Sequence, residues 1–110
     1  MRYEEPSAIE FSEAETYMAS GNPTLIADAL LRASLSQIDA TWVEAACLRF
    51  LKRPEIEVRW AALTALEHLV RRYRRVDVDA ILMEVEPLRE DPDLSGKVDD
   101  LLDDIEIYMT

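Results

Sequence analysis

The stretch "VRWAALTALEHLVRRY", residues 58–73, decides how the rest of the chain is interpreted. Its apolar residues recur every three or four positions and cover most of the circumference, which predicts a helix buried by several neighbours. The small side chains of Ala61, Ala62 and Ala65 would let those neighbours approach closely. Because the sequence has only 110 residues, the neighbours must come from the segments on either side.

Local signals divide those segments into helices. Ser12 and Glu15 form a capping box that predicts the start of a first helix, and Gly21 would end it. Asn22 followed by Pro23 predicts the start of a second helix. The third, fourth, fifth and sixth helices are expected over about 40–52, 55–74, 78–89 and 95–108. Asp39 is the expected N-cap of the third helix, and Pro54 should end that helix. Asp77 or Asp79 is the expected N-cap of the fifth helix, and Pro87 should kink or shorten it.

The helices repeat. The triplets "DAL" at 28–30, "TAL" at 64–66 and "DLL" at 100–102 are each 36 residues apart. With this register, the apolar positions of the second, fourth and sixth helices coincide, and those of the third and fifth coincide at a spacing of 38. A two-helix unit of this length is typical of a helical solenoid, whose units bury their apolar faces against one another. The aligned sets are Ile26/Ala62/Val98, Ala29/Ala65/Leu101, Leu30/Leu66/Leu102, Ala33/Leu69/Ile105, Val43/Ile81, Cys47/Val85 and Phe50/Leu88.

The middle unit, "KRPEIEVRWAALTALEHL", resembles the phrase of HEAT repeats. The shared features are a proline between the helices, then acid-x-Val-Arg, then alanines closing on Ala-Leu. This resemblance implies an all-α fold, a short α-solenoid of about three HEAT-like hairpins (about six helices) in a single domain, 1–110, with units at about 12–35, 39–74 and 77–108. It also implies a curved rod whose inner helices, the second of each pair, line a concave surface that binds other proteins.

Charge is distributed unevenly along the chain. The net charge is −11, and residues 76–110 contribute twelve acids and only two bases. Such a chain repels nucleic acid and attracts basic proteins. The basic run "RRYRR", residues 71–75, could suggest nucleic-acid binding, but its place at a helix C-terminus favours interaction with the helix dipole and with nearby acids.

The acids of the sixth helix are the main candidate binding site. Because its apolar residues occupy one stripe, its acids should cover the opposite face. Three interpretations stay open: a solvated face, a docking face for a basic protein, or a divalent-metal site, for which a straight helix lacks the loop geometry. Trp60 could lie on the ridge between units or be exposed as a partner anchor. The predicted partner-binding residues are Asp99, Asp100, Asp103, Asp104, Glu106, Glu67 and Trp60.

Catalytic and cofactor chemistry is not indicated. Cys47 and His68 are the only cysteine and histidine, which excludes a Cys/His zinc cluster. Cys47 lies in an apolar row and is expected to be buried, and His68 is expected to be half-exposed or bonded to a neighbour. There is no glycine-rich phosphate loop and no metalloprotease or hydrolase motif. We therefore expect no enzyme activity, no cofactor and no metal.

The chain also lacks a run of about 18 apolar residues or a signal-peptide pattern, which favours the cytoplasm and no membrane contact. An acidic HEAT-like domain of this size resembles immunity proteins of polymorphic or contact-dependent-inhibition toxin systems. This resemblance implies a partner that is a basic toxin, often a nuclease, occluded by an acidic face. The alternatives are a general adaptor or regulatory scaffold, or an enzyme such as a phycobilin lyase or DNA glycosylase, both of which are larger. A monomer is slightly favoured, and the sequence leaves the oligomeric state open.

Overall fold

The computed structural model describes residues 8–109. Within that range the chain forms six α-helices and a 3₁₀ turn, and it has no strand there. The predicted all-α fold class is therefore confirmed. The helices are α1 (Phe11–Ala19), α2 (Pro23–Ser34), α3 (Ala40–Phe50), α4 (Ile56–Tyr73), α5 (Val78–Val85) and α6 (Ser95–Tyr108), with the 3₁₀ turn (Glu86–Glu90) between α5 and α6.

Three side-chain caps begin helices where the sequence predicted them. Asn22 Oδ1 accepts hydrogen bonds from the N–H groups of Thr24 at 2.9 Å and Leu25 at 3.4 Å. Asp39 Oδ1 accepts one from Thr41 at 2.8 Å, and Asp77 Oδ1 accepts one from Ala80 at 3.0 Å. Each cap satisfies an N–H group that the first helical turn leaves without a partner. Asp77 rather than Asp79 is therefore the cap of α5.

The predicted turns are also found. Gly21 has a φ of 75°, the left-handed conformation in which a residue without a Cβ is least strained, and it separates α1 from α2. Pro87 cannot donate a helical hydrogen bond, and α5 ends at Val85, where the 3₁₀ turn takes over.

The prediction that a capping box at Ser12 begins α1 is wrong. The helix α1 begins one residue earlier, at Phe11, and Glu10, which precedes it, makes no side-chain cap. The Phe11 ring packs edge-on against Trp42 of α3, with 4.7 Å between the ring centroids. The neighbouring Ile9 is buried, and its N–H donates to Ser36 Oγ at 3.0 Å. These contacts with distant segments fix the start of α1, and a local motif cannot reveal them.

The helices form three consecutive hairpins. The second helix of each hairpin lies beside that of the next, so that α2, α4 and α6 make one layer with α4 in the middle. We call this the inner layer. The helix α1 packs on α2, α3 packs on α4, and the 3₁₀ turn after α5 packs on α6. The predicted side-by-side arrangement of the segments around Leu30, Leu66 and Leu102 is confirmed.

The burial of side chains follows the repeat register in all three hairpins at some positions and departs from it in α6 at others. The aligned set Ile26, Ala62 and Val98 is fully buried, with a relative exposure of 0% for each. In the set that contains Leu102, the equivalents in α2 and α4 are buried, whereas Leu102 is half-buried. The two end helices of the inner layer differ in their other neighbours. The helix α2 is covered by α1 and also contacts α3, whereas α6 packs on the short 3₁₀ turn in addition to α4.

The overall proportions differ from the expected curved rod. The molecule measures 33 × 31 × 29 Å, and its radius of gyration is 13.3 Å, close to the ~13 Å expected of a compact domain of about 100 residues. The length of one hairpin is about equal to the thickness of three stacked hairpins, so the molecule is not elongated. The fold is a compact helical bundle, consistent with a very short solenoid.

Candidate protein-binding surface

Four acids lie on the outward side of α6. Asp99, Asp100, Asp103 and Glu106 are all exposed, and Asp99 and Asp103 are one helical turn apart. Like charges at this spacing repel one another by a few tenths of a kcal/mol, so this surface is not arranged for the stability of the helix. We call these four residues the α6 acidic face. Ile107, which is 67% exposed, lies next to them on the same side of the helix.

Asp104 does not belong to that face, which corrects the expectation that all five acids are solvated. Its side chain is only 8% exposed. Arg71 Nε donates to Asp104 Oδ2 at 2.9 Å, and Arg71 Nη2 donates to Oδ1 at 3.3 Å. Position 104 falls on the edge of α6 that meets α4, so its carboxylate joins the two helices. This bidentate pair also raises the pKa of Arg71.

Glu67 is buried as well, although the sequence suggested a residue that a partner could reach. It is 5% exposed, and Lys97 Nζ of α6 lies 3.3 Å from its Oε1. Burial raises the pKa of Glu67, and the charge of Lys97 opposes that rise. The pair is a second ionic link between α4 and α6. A role of Glu67 or Asp104 in direct partner contact stays a prediction.

The sequence left two positions open for Trp60, on the ridge between units or exposed to solvent, and the structure combines them. Its ring packs under Lys97 of α6, with Nζ 4.6 Å from the ring centroid, which is a cation–π distance. The residue is nevertheless 44% exposed. Trp60 therefore lies on the ridge between two helices of the inner layer and also presents part of its ring to solvent. Its use as a partner anchor stays a prediction.

An apolar groove runs beside Trp60, between α2 and α4. Its volume is about 410 Å³. Ile56, one helical turn before Trp60, is 44% exposed and forms part of the same wall. The sequence reasoning missed this groove, although two large apolar residues four positions apart and off the buried stripe were a usable signal. We call it the Trp60 groove, and it is lined by Thr24, Ala27, Asp28, Leu31, Ile56, Glu57, Trp60 and Ala61.

The arginines at the end of α4 are used inside the protein. Arg71 bonds Asp104, and Arg72 Nη1 donates to the carbonyl oxygens of Ser34 at 2.7 Å and Ser36 at 3.2 Å. Arg72 therefore satisfies the last carbonyls of α2, which a helix end leaves without partners. Pairing with acids was expected for this run, whereas bonding to the end of α2 was not. Both guanidinium groups hold the inner layer together.

His68 and Cys47 take the environments expected from their positions. His68 Nδ1 and Ser34 Oγ share a hydrogen bond of 2.8 Å across the α2–α4 contact. Burial lowers the pKa of His68, and the nearby cations Arg71, Lys97 and Arg72 lower it further. Cys47 is fully buried, and burial raises the pKa of its thiol far above the usual range. A thiol in this state is not a nucleophile.

A larger, open basin of about 690 Å³ lies where α3, α4 and α5 meet. Three acids line it, but two of them, Asp39 and Asp77, are the N-caps of α3 and α5. The third, Glu44, accepts a hydrogen bond from the Asp77 N–H at 3.2 Å. These three carboxylates thus bond the N–H groups at the starts of α3 and α5. The acids of the basin are therefore explained by the capping of these helices.

Residues 8–109 contain no group of three or more histidine, cysteine, aspartate or glutamate side chains placed to hold a metal ion. None of the helices in that range has the length and apolar character needed to cross a bilayer.

The chain was also compared with known proteins. No family model matches it, and no curated protein resembles it significantly in sequence. Among solved structures, a chain from the crystal structure of a CDI complex from Cupriavidus taiwanensis LMG 19424 is similar over its whole length. The TM-score is 0.84 and the sequence identity is 31%, covering 100% of this chain and 99% of that chain. The protein therefore belongs to the same family as this chain of the Cupriavidus CDI complex.

Proposed function

We propose that this protein is a contact-dependent-inhibition immunity protein that binds a basic toxin domain and occludes its active site. The likeness to a chain of a CDI complex carries the proposal. A protein of such a system acts in the cell that it protects, so the place of action would be the cytoplasm. Under this proposal the protein has no catalytic role, and it works by binding alone.

The α6 acidic face is the proposed contact. Its four carboxylates, Asp99, Asp100, Asp103 and Glu106, are exposed on one helix. The only base in α6, Lys97, is turned away from them toward Glu67 and Trp60. A surface of one sign raises the association rate with a partner of the opposite sign. A toxin nuclease, whose active-site cleft must be positive to hold a phosphate backbone, is a partner of suitable charge.

The ionic links behind this face have a positioning role in the proposal. The pairs Arg71–Asp104 and Lys97–Glu67 fix α6 against α4, so the exposed acids are held on a rigid helix before the partner arrives. Preorganised charges bind more tightly because little ordering is needed on association. We further propose that the hairpins are HEAT-like repeats, on the residues of the middle unit given above.

The test is a kinetic measurement with a toxin domain encoded beside this gene. Asp99, Asp100 and Asp103 are changed together to lysine, and association with that toxin is measured at several salt concentrations. We expect the association rate at low salt to fall at least tenfold, since the field of a surface of one sign changes association rates by about 10–10³. The salt dependence of the remaining rate should also become weaker.

A matched variant with Glu10, Glu15 and Glu90 changed to lysine controls for net charge. These three glutamates are exposed elsewhere on the molecule, so the change in total charge is the same. Equal rates for the two variants would remove the α6 acidic face from the proposal. A gene with no toxin domain beside it, together with no binding to toxin domains of this system, would instead favour the adaptor or scaffold alternative.

A further inference from the structure

We infer that the Trp60 groove is a binding cleft for an arginine side chain of the protein partner. The groove is separate from the α6 acidic face, because it lies between α2 and α4. The inference rests on the proposed function only in taking the partner to be a basic protein. It names the chemistry of one contact that the proposal leaves unspecified.

The walls of the groove fit the apolar part of such a side chain. Leu31, Ala27 and Ala61 form one continuous surface with Trp60 and Ile56. Trp60 and Ile56 are each 44% exposed, so their apolar surface is accessible to a partner. The methylene stem of a long basic side chain buries readily along apolar surface while its charged end stays in a polar setting.

The rim of the groove supplies that polar setting. Among the described residues that line it, the charged ones are Asp28 and Glu57, and both are acids. Glu57 is exposed, and the Asp28 side chain is 45% exposed. Asp28 Oδ2 accepts a hydrogen bond from Arg32 at 3.0 Å, so this carboxylate is already part of an ion pair. The groove therefore combines an apolar floor with two carboxylates, which is complementary to an amphipathic cation and not to an anion or a purely apolar segment.

Trp60 makes arginine a better fit than lysine. A planar guanidinium stacks on an indole ring and can bond a carboxylate through two N–H groups at once. Lys97 also contacts the Trp60 ring, but its charge is balanced by Glu67 at 3.3 Å. A second cation on the α2 side of Trp60 therefore meets a locally neutral neighbour and, on the rim, Glu57 together with the Asp28–Arg32 ion pair. Arginine and tryptophan are also frequent among the residues that dominate protein–protein binding.

The test uses the whole protein and a small probe, N-acetyl-arginine methylamide, followed by two-dimensional NMR. Saturable shifts are expected at Leu31, Ile56 and the Trp60 indole. N-acetyl-citrulline methylamide has nearly the same shape without the charge, and N-acetyl-lysine methylamide has the charge without the planar group. Both should bind more weakly than the arginine probe.

Two variants locate the contact. Glu57→Gln should weaken binding of the arginine probe by about twofold to fivefold, the range of one exposed ion pair, because the cation–π contact with Trp60 is kept. Glu15→Gln removes an exposed charge from α1 and should leave the affinity unchanged. Because both changes are on the surface, both variants should remain folded, and their spectra would show it directly.

The outcomes separate this inference from the proposed function. Shifts scattered over the surface, or equal binding of the citrulline probe, would overturn the arginine cleft. If the toxin still binds in that case, only the cleft is lost and the proposed function stands. If the arginine probe saturates the groove while no toxin binds, the cleft stands and the partner is a different basic protein.

Discussion

The helices α4 and α6 occupy equivalent places in neighbouring hairpins, but they are covered differently. Leu66 and Leu69 of α4 are buried, whereas their repeat equivalents Leu102 and Ile105 of α6 are half-buried. The helix α4 lies between α2 and α6, and α6 has only α4 beside it in the inner layer. The same sequence pattern thus produces a core helix in one unit and a boundary helix in the next.

The charged residues of α4 and α6 also lie in different surroundings. In α4 the charged residues Arg71, Arg72 and Glu67 face other helices and are engaged in bonds within the chain. In α6 four acids face outward. The side of α6 that faces away from the inner layer is polar, and the acids described there share one sign. The outward side of α6 is therefore the surface that we propose for partner binding.

The largest expected effect comes from the aligned leucines. Leu66→Ala leaves a cavity in a fully buried site, and should lower the free energy of unfolding by about 2–5 kcal/mol. Leu102→Ala removes the same atoms from a half-buried site and should cost about half as much or less, because water already reaches part of that surface. Urea unfolding of both variants measures the difference. Equal losses would contradict the claim that α4 alone is covered on both sides.

A smaller effect is expected at the ionic link between the two helices. Asp104→Asn weakens the bond with Arg71, and we expect a loss of about 1–2 kcal/mol, since Asp104 is buried while its partner is half-exposed and partly screened. Asp103→Asn, on the neighbouring exposed position, should be neutral or slightly stabilising because it relieves repulsion by Asp99. Thermal or urea unfolding of the two variants measures their free energies of unfolding for this comparison. If the two variants are equally stable, the Arg71–Asp104 pair does not hold α6 in place.

The smallest expected effect is a pH dependence located in α4. The pKa of His68 is lowered in the folded protein, so the unfolded chain takes up a proton first as the pH falls. Its contribution to stability is therefore complete above the unfolded pKa of about 6.5 and is lost as the pH falls toward the folded pKa. His68→Asn keeps a group able to bond Ser34 but does not titrate. The variant should lose less stability than the wild type between about pH 7.5 and pH 5.5, across that unfolded pKa.

The same pH dependence has an opposing contribution from Glu67. Its pKa is raised on folding, so the stability that it contributes grows as the pH falls through that raised value toward its ordinary one. Because Glu67 is present in both the wild type and His68→Asn, a comparison of the two pH profiles isolates the contribution of His68. Identical pH profiles for the wild type and His68→Asn would show that His68 does not contribute.

The features that the sequence predicted well are local or periodic. The caps at Asn22, Asp39 and Asp77 depend on a side chain and an N–H group within three residues, and the buried stripes depend on helical spacing. The start of α1 was missed because it depends on Phe11 meeting Trp42, 31 positions away in the printed sequence. No motif around Ser12 carries that information.

The binding surface was predicted less completely, for a related reason. A helical wheel assigns Asp104 and Glu67 to a side of their helices but does not show what lies beside them. Asp104 is bonded to a residue 33 positions earlier, and Glu67 pairs with one 30 positions later. Such pairings depend on how neighbouring hairpins are offset. The exposure of the other acids of α6 was predictable because they lie opposite the apolar stripe of that helix.

Native-state hydrogen exchange measured residue by residue is the most direct test of the central claim that α4 is enclosed by two neighbours and α6 by one. We expect the central amides of α4 to exchange only through global unfolding, with a free energy equal to that from urea unfolding. The amides in the C-terminal half of α6 should exchange through a partial opening of lower free energy. Equal protection of α4 and α6, or stronger protection of α6, would contradict the account.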